Sequence, residues 1–278
     1  MNNEKIYVTG GGGMIGSRLV EMGCSRIISD VTNAVALDSE IKNAKPELII
    51  HLAAKTDVDF CELPENKTFV KNVNFIGSKN TFNMSEKHDT PVIYISSDHI
   101  FSGSRWFGGY KENFNDLPVN FYGTTKLAAE GAAYTCNNVK IVRTSSLITS
   151  RRQSVYDYLS PLSEGKDIYP PSFIYRSFMH IDHFCQSLLE YSARFDNMPK
   201  VLNISGSKVV SWHKLITEYA KAMNMDTSKI HSRTKYEKNP LCADRPKRAG
   251  LNVNLSAELG LTQYDYKDAI TEDVLCRL

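Results

Sequence analysis

The apolar residues of this chain fall in short bursts divided by polar and glycine-rich stretches, and those bursts set the predicted elements. Ile6–Tyr7–Val8–Thr9 is a strand that runs directly into glycines, with Ser17 to Met22 as the helix beyond them. Arg26–Ile27–Ile28–Ser29, Glu47 to Leu52, Pro91 to Ile95 and Val139 to Arg143 are similar bursts rich in Ile and Val. Near-continuous apolar runs of this length read as strands buried on both faces of a parallel sheet. Pro64 to Lys87 and the segment from Tyr122 to Glu130 read as helices between them. Strands alternating with helices in this way predict an α/β fold, a doubly wound parallel sheet with right-handed crossovers.

After Thr144 the alternation lapses. Ser150 to Pro171 is mixed, with Arg151–Arg152, Gly165 and Pro170–Pro171 as loop punctuation. Phe184 to Tyr191 reads as helix and Val201 to Ile204 as a strand returning to the sheet. Ser211 caps a helix over Trp212 to Met223, and Asn254 to Leu259 and Asp265 to Leu275 are the final helices. The expected division is a sheet domain over 1–145, with 177–205 returning to it. A smaller, mostly C-terminal subdomain comprises 146–176 and 206–278.

The first turn carries chemistry. Gly10, Gly13 and Gly16 are spaced G-x-x-G-x-x-G between a strand and a helix. That spacing suits a tight turn, close backbone approach to a pyrophosphate, and a helix N-terminus aimed at the phosphates. It predicts a Rossmann-like dinucleotide site. Asp30 follows Gly10 by about 20 residues, where a carboxylate accepts hydrogen bonds from the adenine ribose. A carboxylate there repels a 2′-phosphate, which favours NAD(H) over NADP(H). Asp38 ends a further apolar stretch within reach of the adenine. Ala53 and Ala54, small residues at the end of the third strand, leave room for a cofactor at the ligand edge of the sheet.

Tyr122 and Lys126 lie four apart on a helix and so share a face. A phenol titrates near pH 10, and lowering it by about 3 units takes about 4 kcal/mol of preference for the phenolate. A cation about 4 Å away supplies that much at an effective dielectric of about 20. Such a pair can protonate a carbonyl oxygen while hydride arrives at its carbon. Ser97, after the fourth strand, sets a hydroxyl at the same edge.

Composition narrows the class. Formal charge is +2, from 33 Lys and Arg against 31 Asp and Glu, which provides no global field for nucleic acid or a membrane surface. No apolar run is long enough to span a bilayer. Cys24, Cys61, Cys136, Cys185, Cys242 and Cys276 are scattered without C-x-x-C spacing, as expected of free thiols in a reducing cytoplasm. His180, Asp182 and His183 are read as a strand-to-helix turn with Asp182 as N-cap rather than as metal ligands, so no metal is expected.

GGGGMIG at 10–16, HLAA at 51–54, ISSDHIFSG at 95–103 and YGTTK at 122–126 together resemble the extended branch of the short-chain dehydrogenase/reductase superfamily. Within it the chain is most similar to the dTDP-4-dehydrorhamnose reductases, and RPKRAGLN at 245–252 resembles their arginine–proline segment. The resemblance implies Tyr122 as proton donor, Lys126 as the residue that tunes it, and Ser97 as the hydroxyl that steadies the carbonyl. It implies cofactor contacts at Gly13, Met14, Ile15, Asp30, Asp38, Ser39, Ala54, Lys55 and Thr56. Ser97 and Asp98 would meet the sugar, and Arg176 would lie near a diphosphate. Lys229 to Arg248 is a basic stretch, read first as a solvated face, in which Arg245, Lys247 or Arg248 could pair with that diphosphate. The implied activity is NAD(P)H-dependent reduction of the 4-keto group of a nucleotide-linked 6-deoxysugar, in a cytoplasmic and possible homodimeric enzyme.

Three departures bear on the sugar pocket. Ser97 stands for a threonine, His99 for a tyrosine, and Ser146 for a tryptophan after Arg143–Thr144–Ser145. Rival readings are a 3,5-epimerase/4-reductase, and an epimerase or dehydratase that recycles its cofactor. The Asp98–His99 pair after Ser97 argues against a dehydratase, whose Asp–Glu pair belongs there. The chain also resembles the regulatory β subunit of methionine adenosyltransferase, a non-catalytic reading.

Overall fold

A computed structural model describes residues 2–106, 108–149, 153–235 and 242–270. Arg151–Arg152, positions 236–241 of the basic stretch, and 271–275 of the last expected helix lie outside the described residues.

In chain order the main elements are β1 (Ile6–Thr9), α1 (Met14–Glu21), β2 (Ser25–Arg26), α2 (Ala34–Ala44), β3 (Leu48–His51), α3 (Val58–Glu62), α4 (Lys67–Lys71) and α5 (Gly77–His88). They continue with β4 (Val92–Ser97), α6 (Phe121–Tyr134), β5 (Val139–Thr144), β6 (Leu147–Ile148), α7 (Gln153–Ser163), β7 (Tyr175–Ser177) and β8 (Met179–His180). The last are α8 (Ile181–Ala193), β9 (Val201–Asn203), β10 (Val209–Ser211), α9 (Trp212–Ala222) and α10 (Asn254–Glu258). Six strands form one parallel sheet in the order β2-β1-β3-β4-β5-β9. Two small two-stranded sheets, β10-β7 and β6-β8, stand beside it.

Strand alternation sorts the core into layers. Ile6, Val8, Leu48, Ile50, Ile93, Ile95 and Val142 face Leu19 of α1 and Phe184 and Leu188 of α8. Ile49, Val92, Tyr94, Val139 and Ile141 face Leu37 and Ile41 of α2, Phe82 of α5, and Ala129 and Ala133 of α6. The sheet is thereby buried on both faces, as its continuous apolar runs require. A third apolar cluster joins Val155, Leu159 and Leu162 of α7 to Leu215, Ile216 and Tyr219 of α9.

The structure corrects several expectations. β2 stops at Arg26 because the Ile28 and Ser29 amides turn to the Glu40 carboxylate, at 2.8 and 2.7 Å, in place of a strand partner. The expected helix over Pro64 to Lys87 is present as a continuous helical run through α4 and α5, with a π turn at Asn72–Ile76 that the sequence did not show. α7 falls within the stretch read as mixed; Pro161 lies near its end, and its apolar residues pack in one cluster with those of α9. The cap of α8 is His180, whose Nδ1 accepts from the Asp182 amide at 3.3 Å. Asp182 is instead gripped by both guanidinium arms of Arg18, at 2.7 and 3.0 Å, which pins α8 to α1.

α6 and β5 are joined by a buried ion pair. Arg143 Nε and Nη2 donate to the two Glu130 oxygens at 3.0 and 2.7 Å, and Nη1 donates to the Glu112 carbonyl at 2.8 Å. Both residues are under 5% exposed. Removing one partner strands the other charge in the core, whereas replacing both with apolar groups does not. Arg143→Met is expected to lower the stability measured by urea unfolding by about 3–5 kcal/mol. The double variant Glu130→Leu/Arg143→Met should recover most of that loss, and a double variant as unstable as the single one would contradict the account.

Candidate active site

The order β2-β1-β3 reverses direction between β1 and β3, and ligands of open α/β sheets bind at the carboxyl ends of strands where this happens. The glycine turn sits there. Gly10 has φ +67°, and a Cβ on it would lie 3.0 Å from the Ala53 backbone. A Cβ on Gly16 would lie 2.3 Å from the Gly10 carbonyl oxygen, so α1 can approach β1 only without one. Gly13 is the N-cap of α1 and brings no side-chain acceptor, which leaves the first-turn amides of Met14 and Ile15 open to an anion. A Cβ at Gly12 would meet nothing within 4 Å. These features fit a dinucleotide pyrophosphate.

A buried polar relay fixes the opposite wall. Thr9 Oγ1 accepts from the Leu52 and Ala53 amides, at 3.1 Å each, so its own proton goes to His51 Nδ1 at 2.8 Å. His51 Nε2 then donates to Ser78 Oγ at 2.9 Å. Burial pushes the His51 pKa down to about 3, consistent with this neutral tautomer. The π turn swings Asn74 inward, where its amide pairs with both the N–H and the carbonyl of Lys55, at 2.7 and 3.0 Å. The Ala53–Thr56 backbone is thereby held along the edge, while the Lys55 ammonium lies 4.2 Å over the Phe60 ring.

Asp30 is exposed at this edge, and its Oδ1 accepts from the amide and hydroxyl of Thr32 at 2.9 and 2.8 Å. Asp38 does not face the slot. Its carboxylate binds Lys87 and His88 at 2.6 Å each, at the C-terminal end of α5, which lies toward the opposite edge of the sheet. Ser39 lines an open groove with Tyr7, Ile28 and Glu40, on the side of the sheet away from α1.

Ser97, Tyr122 and Lys126 converge on the carboxyl end of β4. Lys126 is fully buried; its ammonium donates to the Ile95 carbonyl at 2.6 Å and sits 4.2 Å over the Tyr94 ring. Burial pulls its pKa down to about 7, against the pull of Glu130 one turn on. Tyr122 is buried on the same face of α6, with its ring edge-on to His99 at 5.5 Å. A Cβ at Gly123 would lie 2.1 Å from the His99 carbonyl oxygen, so this glycine lets α6 cross the chain just after Ser97. Ser97 Oγ donates to Asp98 Oδ1 and accepts the His99 amide, both at 3.2 Å.

The expected sugar contacts are already engaged with protein. Asp98 Oδ2 receives Ser145 Oγ at 2.6 Å and Arg176 Nε at 3.2 Å in a buried cluster. Arg245 is clasped by both oxygens of Asp59 on α3, at 2.8 and 2.7 Å, which holds the Asp59 carboxyl below its ordinary range. Asn120 was not singled out from the sequence as a site residue, and His99 only as a departure at the sugar pocket. Asn120 Oδ1 accepts the Gly123 amide at 2.8 Å as N-cap of α6, so its nitrogen must be the donor to His99 Nδ1 at 3.1 Å and to the Asp244 carbonyl at 2.8 Å. The His99 proton therefore resides on Nε2, and burial depresses this imidazole to about 4. An Asn just before a helix is a readable cap; its second partner, from the far end of the chain, is not. Among the described residues no group of His, Cys, Asp or Glu is arranged to hold a metal, and no helix is long and apolar enough to cross a membrane.

A family model described as the RmlD substrate binding domain matches residues 4–275. The chain is 24% identical to dTDP-4-dehydrorhamnose reductase of Mycolicibacterium smegmatis, over 98% of this chain and 85% of that one. It is 25% identical to methionine adenosyltransferase 2 subunit beta of Pongo abelii, over 94% of this chain and 84% of the relative. The crystal structure of a dTDP-4-dehydrorhamnose reductase from Bacillus anthracis in complex with NADP shares the fold, with TM-score 0.84 and 23% identity, over 98% of this chain and 99% of that one.

The buried ammonium has a measurable consequence. Its folded pKa lies below that of an unfolded lysine, so the unfolded chain binds more protons between about pH 7 and 10.5 and stability rises with pH through that window. Lys126→Met removes the penalty. The variant should exceed the wild type in urea unfolding at pH 6, and its advantage should shrink by about 1–3 kcal/mol by pH 9. A pH-independent difference would show that Lys126 keeps an ordinary pKa.

Proposed function

The chain belongs to the RmlD substrate binding domain family, and from that membership and the cleft geometry we propose that it is an NAD(P)H-dependent reductase of the 4-keto group of a nucleotide-linked 6-deoxysugar. The observation that carries the reading is the buried Lys126 ammonium one helical turn from Tyr122, bonded to the Ile95 carbonyl of the strand that ends in Ser97. A structural lysine has no need of so costly a place, whereas a proton donor does.

Gly10, Gly13, Met14, Ile15, Gly16 and the Ala53–Thr56 backbone would hold the dinucleotide, whose reduced nicotinamide supplies hydride when bound. Tyr122 gives its phenolic proton to the carbonyl oxygen, so carbonyl plus hydride plus proton yields the alcohol. Lys126 stabilises the phenolate left behind, and its burial strengthens that field. Ser97 turns its hydroxyl from Asp98 to the carbonyl oxygen. The Asp98–Arg176–Ser145 cluster acts through Ser97 by fixing where that hydroxyl starts. Arg245, held by Asp59, lies in a C-terminal strap over the edge, on the substrate side shaped by 146–176 and 206–278. His99, with its Nε2 proton fixed by Asn120, gives the sugar pocket a donor in the position of the family's tyrosine.

The likeness to methionine adenosyltransferase 2 subunit beta supports a second reading, a dinucleotide-binding regulatory protein without turnover. One experiment separates the two. With dTDP-4-dehydrorhamnose as probe, the wild type should consume NADPH or NADH, and Tyr122→Phe should lower the rate at least about 100-fold while still binding the dinucleotide. Full activity in the variant would remove Tyr122 as donor, and absence of consumption by the wild type would favour the regulatory reading. Solvent deuterium appearing at the sugar's C3 and C5 would add epimerisation to the reaction.

A further inference from the structure

Tyr94 lies on β4 with its ring wholly buried, and the Lys126 ammonium stands 4.2 Å from the ring centre, over its face. The ring is fixed from two sides. His51 stacks with it at 5.8 Å and 26°, and Phe82 of α5 meets it edge-on at 5.4 Å and 80°. Strand register sets this arrangement, because Thr9, His51 and Tyr94 are direct partners across β1, β3 and β4. Thr9 Oγ1 and Ser78 Oγ engage the two nitrogens of His51 at 2.8 and 2.9 Å. A neutral imidazole therefore accompanies the ring in place of a second cation.

An ammonium has three N–H donors and no acceptor of its own. The Ile95 carbonyl is its one hydrogen-bond acceptor among the described residues. Glu130, a turn further along α6, gives both oxygens to Arg143, so its attraction is shared. The electron-rich face of Tyr94 is the remaining compensation for a lysine that is only 4% exposed, and such a contact is strongest where water is excluded. We infer that Tyr94 is a positioning residue of the reaction: its ring face fixes where the Lys126 ammonium stands and keeps it charged for Tyr122. Ring and carbonyl come from consecutive residues, so one short piece of β4 supplies both contacts. The titratable groups around the ammonium are Tyr122 and Glu130 of α6, His51 of β3, Tyr94 itself and, behind Glu130, Arg143 of β5. The role in turnover rests on the reductase reading, whereas the contact is independent of it.

A lysine titration tests the contact without turnover. Lysine labelled with carbon-13 at its ε-carbon is followed against pH by NMR, and the Lys126 signal is identified by its loss in Lys126→Met. Removing the face in Tyr94→Leu should lower the Lys126 midpoint by about 1 pH unit, the size of a desolvated cation–π contact. Tyr94→Phe, which keeps the face, should keep the midpoint near that of the wild type. Should the leucine variant not fold, phenylalanine of increasing ring fluorination at position 94 drains the face at nearly constant volume, and the midpoint should fall with each fluorine. In NADPH turnover with dTDP-4-dehydrorhamnose, Tyr94→Leu should lower kcat by about 10-fold above the lysine midpoint, regain it at lower pH, and leave KM for NADPH unchanged. An unmoved midpoint in Tyr94→Leu or across the fluorinated series, or a loss of kcat that does not depend on pH, would overturn the role of Tyr94 while the reductase reading stood. A wild type that consumes no NADPH would overturn the reductase reading, and with it the part of Tyr94 in turnover, whatever the titration shows.

Discussion

A lysine ammonium is held in the core at the end of the fourth strand, and much of the surrounding architecture follows from the need to keep it there. An isolated buried charge is too costly to persist without partners. Lys126 has the Ile95 carbonyl, which lies one residue beyond the last β3–β4 pair, His51–Tyr94, and the face of Tyr94. One turn along α6, Glu130 adds an attractive field and is itself neutralised by Arg143 from the neighbouring strand. Helix, two strands and a loop are thus joined by charges that none of them could bury alone.

Helix α6 is positioned as tightly at its start as along its length. Asn120 caps it, Glu62 of α3 accepts the Phe121 amide at 2.8 Å, and Gly123 lets it ride over the His99 backbone. The same Asn120 reaches Asp244, and Asp59 of α3 grips Arg245, so the C-terminal strap is fastened to the elements that orient Tyr122. Gly103, at φ +72° with no room for a Cβ against Lys247, brings the loop after β4 against that strap. Substrate-side and cofactor-side walls therefore share fastenings. Loss of one of them is felt at Tyr122 rather than only at the lip of the cleft.

Charge at the adenosine end illustrates how local context overrides residue type. Asp30 occupies a place that suits a ribose-binding carboxylate, yet part of its hydrogen-bonding capacity goes to Thr32. The occupied carboxylate cannot be inferred from spacing, because it depends on the turn that follows a short second strand.

The layered sheet, the glycine turn and the Tyr122–Lys126 spacing were legible in the sequence because each depends on neighbours within a turn or a strand, where periodicity and backbone sterics act directly. Helix α7 was not, since Gly165 and Pro170–Pro171 read locally as loop and its apolar residues are buried by a cluster that includes α9, some fifty residues on. Asp182 looked like a cap until Arg18 took its carboxylate, and Asp38 looked like an adenine contact until Lys87 and His88 did the same. An ionisable side chain goes to whichever opposite charge the fold brings nearest, and for these groups that partner is remote in sequence. Short-range order thus determined the strands, helices and candidate chemistry of this protein. Long-range pairing of charges decided which of its polar residues remain available to a ligand.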